Sequence, residues 1–407
     1  MPDPMIPNHG HQPPSPAIFR SLWMSSFWIS FPFGILAFVL PVYGRQLGAT
    51  AFQIGMLYSA LSLFPVLIRP FLGRALDCWG RRPFLLAGLA GYLVAMILFA
   101  AADSIGLLTL ARLVQGLGQA LLWISAYTIV ADLATISGRG LRFGSIDEAA
   151  SRGALIGTTL GFAALLILEG RIQTDRLWSL LFLAYLVPSL IGFTFGWKGV
   201  PESRPNKPAG VHLERPLSGQ LLALMGIVLV TGASYSMVWP MLMLLLQDVL
   251  GANVGLLAIA YLPAAILNSV APSHLGRLAD RFGRKPLMIA GLMIAAAASL
   301  AFPHLRSLSG LAALWTLESF ATASATPAER AFVADIAGED ARGTSYGLYT
   351  FAYFLGAVVG PLAGGWLYDN YGRASPFYLN AIVLSMGAAM VLLFLRETRP
   401  KKAEQTL

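Results

Sequence analysis

Twelve uninterrupted apolar runs, at about 21–44, 52–72, 83–102, 105–131, 145–168, 176–197, 218–246, 254–275, 286–303, 307–334, 345–368 and 375–395, leave this chain few ways to fold. Each is close to the length of about 20 residues that crosses roughly 30 Å of hydrocarbon as a helix. Lipid offers no partners to the backbone groups of an open strand, and the runs lack the polar alternation of barrel strands. The expectation is an all-α membrane protein with twelve transmembrane helices. Composition agrees, because 56% of the 407 residues are hydrophobic and only 12% are charged, too little to solvate the surface of a soluble domain.

The net charge of +8 has a topological cause in this reading, not a nucleic-acid partner. Segments on the N-terminal side of the membrane hold 21 of the basic residues and the opposite side five, with Arg112 and Arg152 inside. The positive-inside bias then puts both termini in the cytoplasm. The proline-rich start lacks a basic, apolar and small-residue cleavage pattern and reads as a disordered tail, not a signal peptide. One cysteine, Cys78, excludes an internal disulfide and a cysteine metal cluster. The five histidines lie in the tail (His9, His11), between the sixth and seventh runs (His212) and at helix ends (His274, His304). They do not converge as catalysis or metal binding requires, so neither an enzyme nor a cofactor is expected.

Displacing the chain against itself by 203 residues superposes "GRALDCWGRRP" (Gly73 to Pro83) on "GRLADRFGRKP" (Gly276 to Pro286). The match continues without gaps through Val130-Ala131-Asp132 and Val333-Ala334-Asp335, Arg139 and Arg342, and Gly153, Gly157, Gly161 and Gly356, Gly360, Gly364. Six helices is an even number, so the two copies are parallel repeats about an axis normal to the membrane, facing each other across a central cavity. The expected organisation is a tail at 1–20, a six-helix half at 21–197, a cytoplasmic linker at 198–217, a second half at 218–395 and a tail at 396–407.

These loops resemble the signature between the second and third helices of the major facilitator superfamily, G-x-x-x-D-R-x-G-R-R, with a departure at Cys78 that the second copy, with Arg281, does not share. The resemblance covers about residues 20–399. It implies the fold of that superfamily, transport by alternating access, a monomer and a conformational latch. The latch comprises Gly73, Asp77, Gly80, Arg81, Arg82, Asp132 and Arg139 with Gly276, Asp280, Arg281, Gly283, Arg284, Asp335 and Arg342. Its charges are expected to hold the halves together at the cytoplasmic face in one state and release them in another. Asp77 would sit against the positive N-terminal end of a neighbouring helix, and Arg81 would pair with a carboxylate of the adjacent loop.

"ARLVQGLGQA" in the fourth helix resembles the arginine motif of proton-coupled members, with Arg112 and Gln115 matching. A cation at that depth is costly in lipid, which points Arg112 to the cavity. "GAVVGPLAGG", with Gly356, Gly360, Pro361 and Gly364, resembles the glycine-proline signature of drug antiporters, but it lies on the eleventh helix. The fifth keeps Gly153 and Gly157 and has Thr158 where the proline belongs, so both runs read as helix-packing surfaces. Glu148 and Arg152, four apart, form either a structural pair or a cavity site. Trp123, Tyr127, Tyr235, Trp239, Tyr349 and Tyr353 are candidates for an aromatic pocket or for packing.

Glu318 is the most informative position. The 203-residue shift maps Arg112 onto Trp315 and Gln115 onto Glu318, so the second half has lost the base and gained an acid. Ten residues in from the helix end, Glu318 lies roughly 15 Å deep, near the middle of the core, among Ser319, Thr322 and Ser324. An unpaired anion is costly there, which suits a group that gains and loses a proton. The leading expectation is a secondary active transporter in a bacterial inner membrane that couples protons to efflux of a small amphiphilic compound. Uptake of a metabolite such as a sugar is the alternative within transport, and a receptor or enzyme the alternative outside it.

Overall fold

The computed structural model describes residues 16–134, 139–168, 171–203, 218–251 and 254–398; the side chains of 139–140, 174–175, 254, 269–280, 334 and 337–344 also lie outside the described set. Among the described residues there are helices and connecting turns and no strand. The first apolar run is split into α1 (Pro16–Ile29) and α2 (Pro32–Gln46). Pro32 at the start of α2 has no N–H to continue the ladder, which accounts for the break. The first helix thus begins at Pro16, five residues before the expected start of the first half at residue 21.

The rest of the first half is α3 (Ala51–Trp79), α4 (Arg82–Ala100), α5 (Ile105–Leu133), α6 (Arg139–Leu168) and α7 (Thr174–Gly199). The second half is α8 (Gly219–Leu250), α9 (Val254–Phe282), α10 (Arg284–Ala301), α11 (Leu308–Tyr371) and α12 (Ser375–Phe394). The tenth and eleventh apolar runs are joined in α11, which is 64 residues long. It cannot be straight. Tyr349 and Glu329 would lie about 30 Å apart along a straight helix, yet the Tyr349 hydroxyl donates to Glu329 Oε2 at 3.2 Å. The chain therefore folds back while keeping helical backbone, and supplies two spans. Among the described residues, ten helical stretches are long and apolar enough to cross a membrane, and Gly255–Asn268 is a shorter apolar one.

The glycine runs set the closest helix approaches. A Cβ at Gly153 or Gly157 of α6 would meet the carbonyl oxygen of Phe27 or Phe31, and one at Gly360 of α11 the carbonyl oxygen of Ala233 in α8. Gly356 and Gly364 face α8 in the same way. Gly360→Ala is therefore expected to push α11 off α8 and destabilise the protein by about 1–3 kcal/mol. Gly347→Ala, where nothing lies within 4 Å, should be close to neutral. Thermal midpoints of the two purified variants check this, and equal midpoints would refute the packing role.

Three apolar cores show how the halves are arranged. One spans both halves, combining Phe38, Val39, Phe162 and Phe182 with Met241, Leu245, Tyr261 and Phe377. The other two stay within a half: Phe19, Leu85, Ile129 and Val200 in the first, and Leu224, Met288, Phe332 and Leu395 in the second. These latter residues lie at the end of the bundle where the basic loops are, called the basic face below. The halves share a core at the far face and part toward the basic face.

Polar contacts seal the far face. The Asp369 carboxylate at the end of α11 accepts from the first backbone N–H groups of α3, Ala51 at 3.0 Å and Phe52 at 2.8 Å. This anion sits at a helix N-terminus, where orphan donors and the helix dipole favour it. Asp248 of α8 takes Arg45 of α2 at 3.5 Å and the Tyr368 hydroxyl at 2.5 Å.

Candidate functional site

Between the halves lies a cavity of about 650 Å³. The first half supplies Tyr58, Leu61, Ser62 and Gln119, and the second half the rest of the wall. Three of its lining residues are charged: Glu318, Glu329 and Arg330, all from the first span of α11. Tyr235, Trp239, Tyr349, Tyr353 and Phe354 add aromatic surface, and Asn268, Ser319 and Thr322 add neutral polar groups.

Glu318 sits in this wall beside Ser319, whose hydroxyl accepts from Asn268 Nδ2 at 3.1 Å. Among the described residues no hydrogen bond or ion pair reaches its carboxylate, while Tyr235 lies within its electrostatic reach. Glu329 is partnered by the Tyr349 hydroxyl and neighboured by the charge of Arg330. Arg330 also borders a side pocket of about 220 Å³ with Trp123, Tyr127, Asp147, Ala150 and Ser151. There the Tyr127 hydroxyl donates to Asp147.

Arg112 is placed behind the cavity wall. It is 3% exposed, its Nη1 donates to Gln115 Oε1 at 2.8 Å, and its guanidinium lies 5.4 Å from the Tyr58 ring and 6.0 Å from that of Phe99. Its Nε has no partner among the described residues. Tyr58, whose hydroxyl donates to the Ala37 carbonyl, is the side chain that carries this cluster to the cavity surface. Glu148 and Arg152 form an ion pair at 2.5 Å with side chains 49% and 62% exposed, and neither lines the cavity.

Among the described residues, the loop clusters make their contacts inside each half. Arg81 gives its Nε to Asp132 at 2.9 Å, its Nη2 to Asp77 at 2.7 Å and its Nη1 to the Leu76 carbonyl at 2.7 Å. The anion at the N-terminus of α4 is not Asp77 but Glu202, which accepts from the backbone of Arg81 at 2.7 Å and Arg82 at 3.2 Å. Gly80 allows this twice over, having φ 92° and leaving the space where a Cβ would meet the Glu202 carboxylate. Arg82 closes the other connection, donating to the Val200 and Trp197 carbonyls at the end of α7. Gly73 meets nothing within 4 Å.

The second half repeats the design. Glu397 accepts from the backbone of Arg284 at 2.8 Å and Lys285 at 3.2 Å, Gly283 has φ 98°, and Arg284 meets Asp335 at 3.4 Å. Lys285 donates to the Leu392 and Leu395 carbonyls at the end of α12. Arg281 lies over the Phe282 ring at 5.5 Å. Gly276 and the side chains of Arg139, Asp280 and Arg342 lie outside the described residues. A cross-half contact nearer this face comes instead from Arg69 of α3, which donates to Thr350 at 2.7 Å and stacks over Phe354 at 4.7 Å.

Two six-helix halves around a mainly apolar, aromatic-rich cavity that carries three charged side chains, joined at one face and parted at the other, have the build of a polytopic transporter. The chain belongs to the major facilitator superfamily, whose family model matches residues 22–273 and 224–407. It is 26% identical to the multidrug resistance protein MdtG of Enterobacter lignolyticus over 386 residues, 92% of this chain and 91% of that protein. It is 24% identical to the synaptic vesicular amine transporter of Rattus norvegicus over 387 residues, 90% of this chain and 71% of that one. Among solved structures, a bacterial homologue of the human lysosomal transporter Spinster, inward-facing and occupied, superposes with a TM-score of 0.76 at 17% identity, covering 97% of this chain and all of that one. The protein is thus a multi-pass membrane transporter with a small-molecule substrate.

Proposed function

We propose that this transporter exports small amphiphilic organic cations in exchange for protons, as a monomer in a bacterial inner membrane, with both termini and the 198–217 linker in the cytoplasm. The observation that carries the reading is the Glu318 carboxylate, which lies in the cavity wall without an ion-pair or hydrogen-bond partner among the described residues. Burying an uncompensated charge is costly, so a proton or a cationic substrate completes the site in each state. The aromatic rings around it suit an organic cation through the negative faces of their π systems. The names of the two relatives, a multidrug resistance protein and an amine transporter, point to the same chemistry.

In this reading the halves 21–197 and 218–395 rock about the cavity. The loop clusters act within each half, making it one rigid body, so that motion concentrates at the interface between halves. The basic face toward which the halves part is then the cytoplasmic one. Reconstituted protein given an imposed pH gradient and a panel of amphiphilic cations, anions and neutral sugars tests the assignment. Gradient-dependent flux confined to cations supports it, and flux of sugars alone overturns it. Orientation has its own test. With Cys78, which is exposed, replaced by Ser, a cysteine at Asn206 should react with an impermeant maleimide only in inverted vesicles. Labelling in right-side-out vesicles would reverse the topology.

A further inference from the structure

The cavity's charges are arranged unequally along one helix. Glu318 and Glu329 are 11 residues apart, three helical turns, so both face the cavity at levels about 16 Å apart along α11. Glu318 stands unpartnered among the described residues. Glu329 accepts from Tyr349 and lies within electrostatic reach of Arg330, the next residue on the helix, with no ion pair between them. Arg330 lines the cavity itself and, across the cleft, lies within electrostatic reach of Asp147 and Tyr127 of the other half. Among the described residues, the cavity wall therefore holds two acids and one base.

We propose that Arg330 selects the charge class of the substrate. The positive charge of Arg330 opposes that of Glu329 at the same level of the cavity, which leaves Glu318, among the described residues, as the carboxylate without a nearby cation. A cation with one charged centre finds that counter-charge with aromatic surface around it. A cation with two centres at the ends of a long chain would bring its second charge to the level of Glu329, where Arg330 repels it. Tyr349 holds Glu329 in place but carries no charge, so the discrimination belongs to the guanidinium. The proposal rests on the cation-export reading of the same cavity and adds the number of charges it admits.

The matched probes are decyltrimethylammonium and decamethonium, which share a ten-carbon chain and differ in the second ammonium group. Their dissociation constants are measured by calorimetry on the full chain in lipid nanodiscs, and the ratio of the two is the readout because it does not depend on the folded fraction. The unaltered protein should prefer the singly charged probe. Arg330→Gln should shift the ratio toward decamethonium by about tenfold or more. Arg330→Lys, which keeps the charge, should retain the original ratio. Adding Glu329→Gln to Arg330→Gln should remove the gain.

A ratio unmoved by Arg330→Gln, or a gain that survives Glu329→Gln, overturns the assignment of Arg330. If the unaltered protein binds decyltrimethylammonium and these ratios stay flat, cation export stands and charge selection falls. If it binds neither probe and shows no gradient-driven flux, both fall.

Discussion

Glu318→Gln protein is expected to lose accumulation driven by a pH gradient, down to the level measured without one, while substrate exchange across the same membrane persists at saturating substrate with a weaker apparent affinity, because the counter-charge is gone. Gln keeps the size and a hydrogen-bonding carbonyl but cannot cycle a proton. The neighbours that shape the cavity, Ser319 with its bond from Asn268 and the ring of Tyr235, stay in place. A site that serves only as a structural acid would behave differently, losing exchange and stability together. Counterflow and gradient-driven flux measured on one preparation separate the cases. Persistent gradient-driven flux in Glu318→Gln would remove this residue from the coupling reaction.

Combining Asp248→Asn with Asp369→Ala should open the far face. Removing the Asp369 carboxylate from the first N–H groups of α3, beside the Thr50 cap, is worth about 0.5–2 kcal/mol, the range of a capping group. The Arg45 pair, with side chains 37% and 30% exposed, adds only about 0.2–1 kcal/mol after solvent screening. The Asp369 carboxylate is the larger contribution, so Asp369→Ala alone should show most of the effect. Together the changes amount to roughly 1–3 kcal/mol, or about 5–150-fold in the ratio of the two conformers. Spin labels at Asp103 and Arg306, equivalent positions in the two halves, report the far-face separation. A second, longer distance population is expected in the double variant, and an unchanged distribution would show that the apolar core alone holds this face shut.

The fold could be read from the sequence because hydropathy sets the number of spans, and the 203-residue repeat sets their parallel arrangement. Glu318 could be read as well, since an acid in an apolar helix is visible without coordinates. The partners of these residues could not. Glu202 and Glu397 escape the 203-residue comparison because they are 195 apart, and each serves a loop more than 100 residues away in the chain. Arg112 was expected in the cavity because depth can be counted along a helix, but the direction of its side chain depends on Tyr58 of another helix. Arg69 and Arg330 fall within the 21 basic residues on the N-terminal side, a total that does not show that Arg69 bridges the halves from α3 or that Arg330 lines the cavity from α11. Glu329 had a signal that spacing could have supplied, a second acid three turns from the first.

Arg45 and Asp248 are separated by 203 residues, the interval that superposes the two halves. A residue that touches its own counterpart across a pseudo-twofold lies near the rotation axis. Two identical subunits would have to place the same side chain there twice, arginine against arginine or aspartate against aspartate. Duplication and fusion within one chain lift that restriction, because each copy can diverge alone until the axis carries opposite charges. The seal at the far face therefore records a step open to a fused chain and closed to a symmetric dimer. A protein assembled from two copies of the first half would meet its own Arg45 at that point.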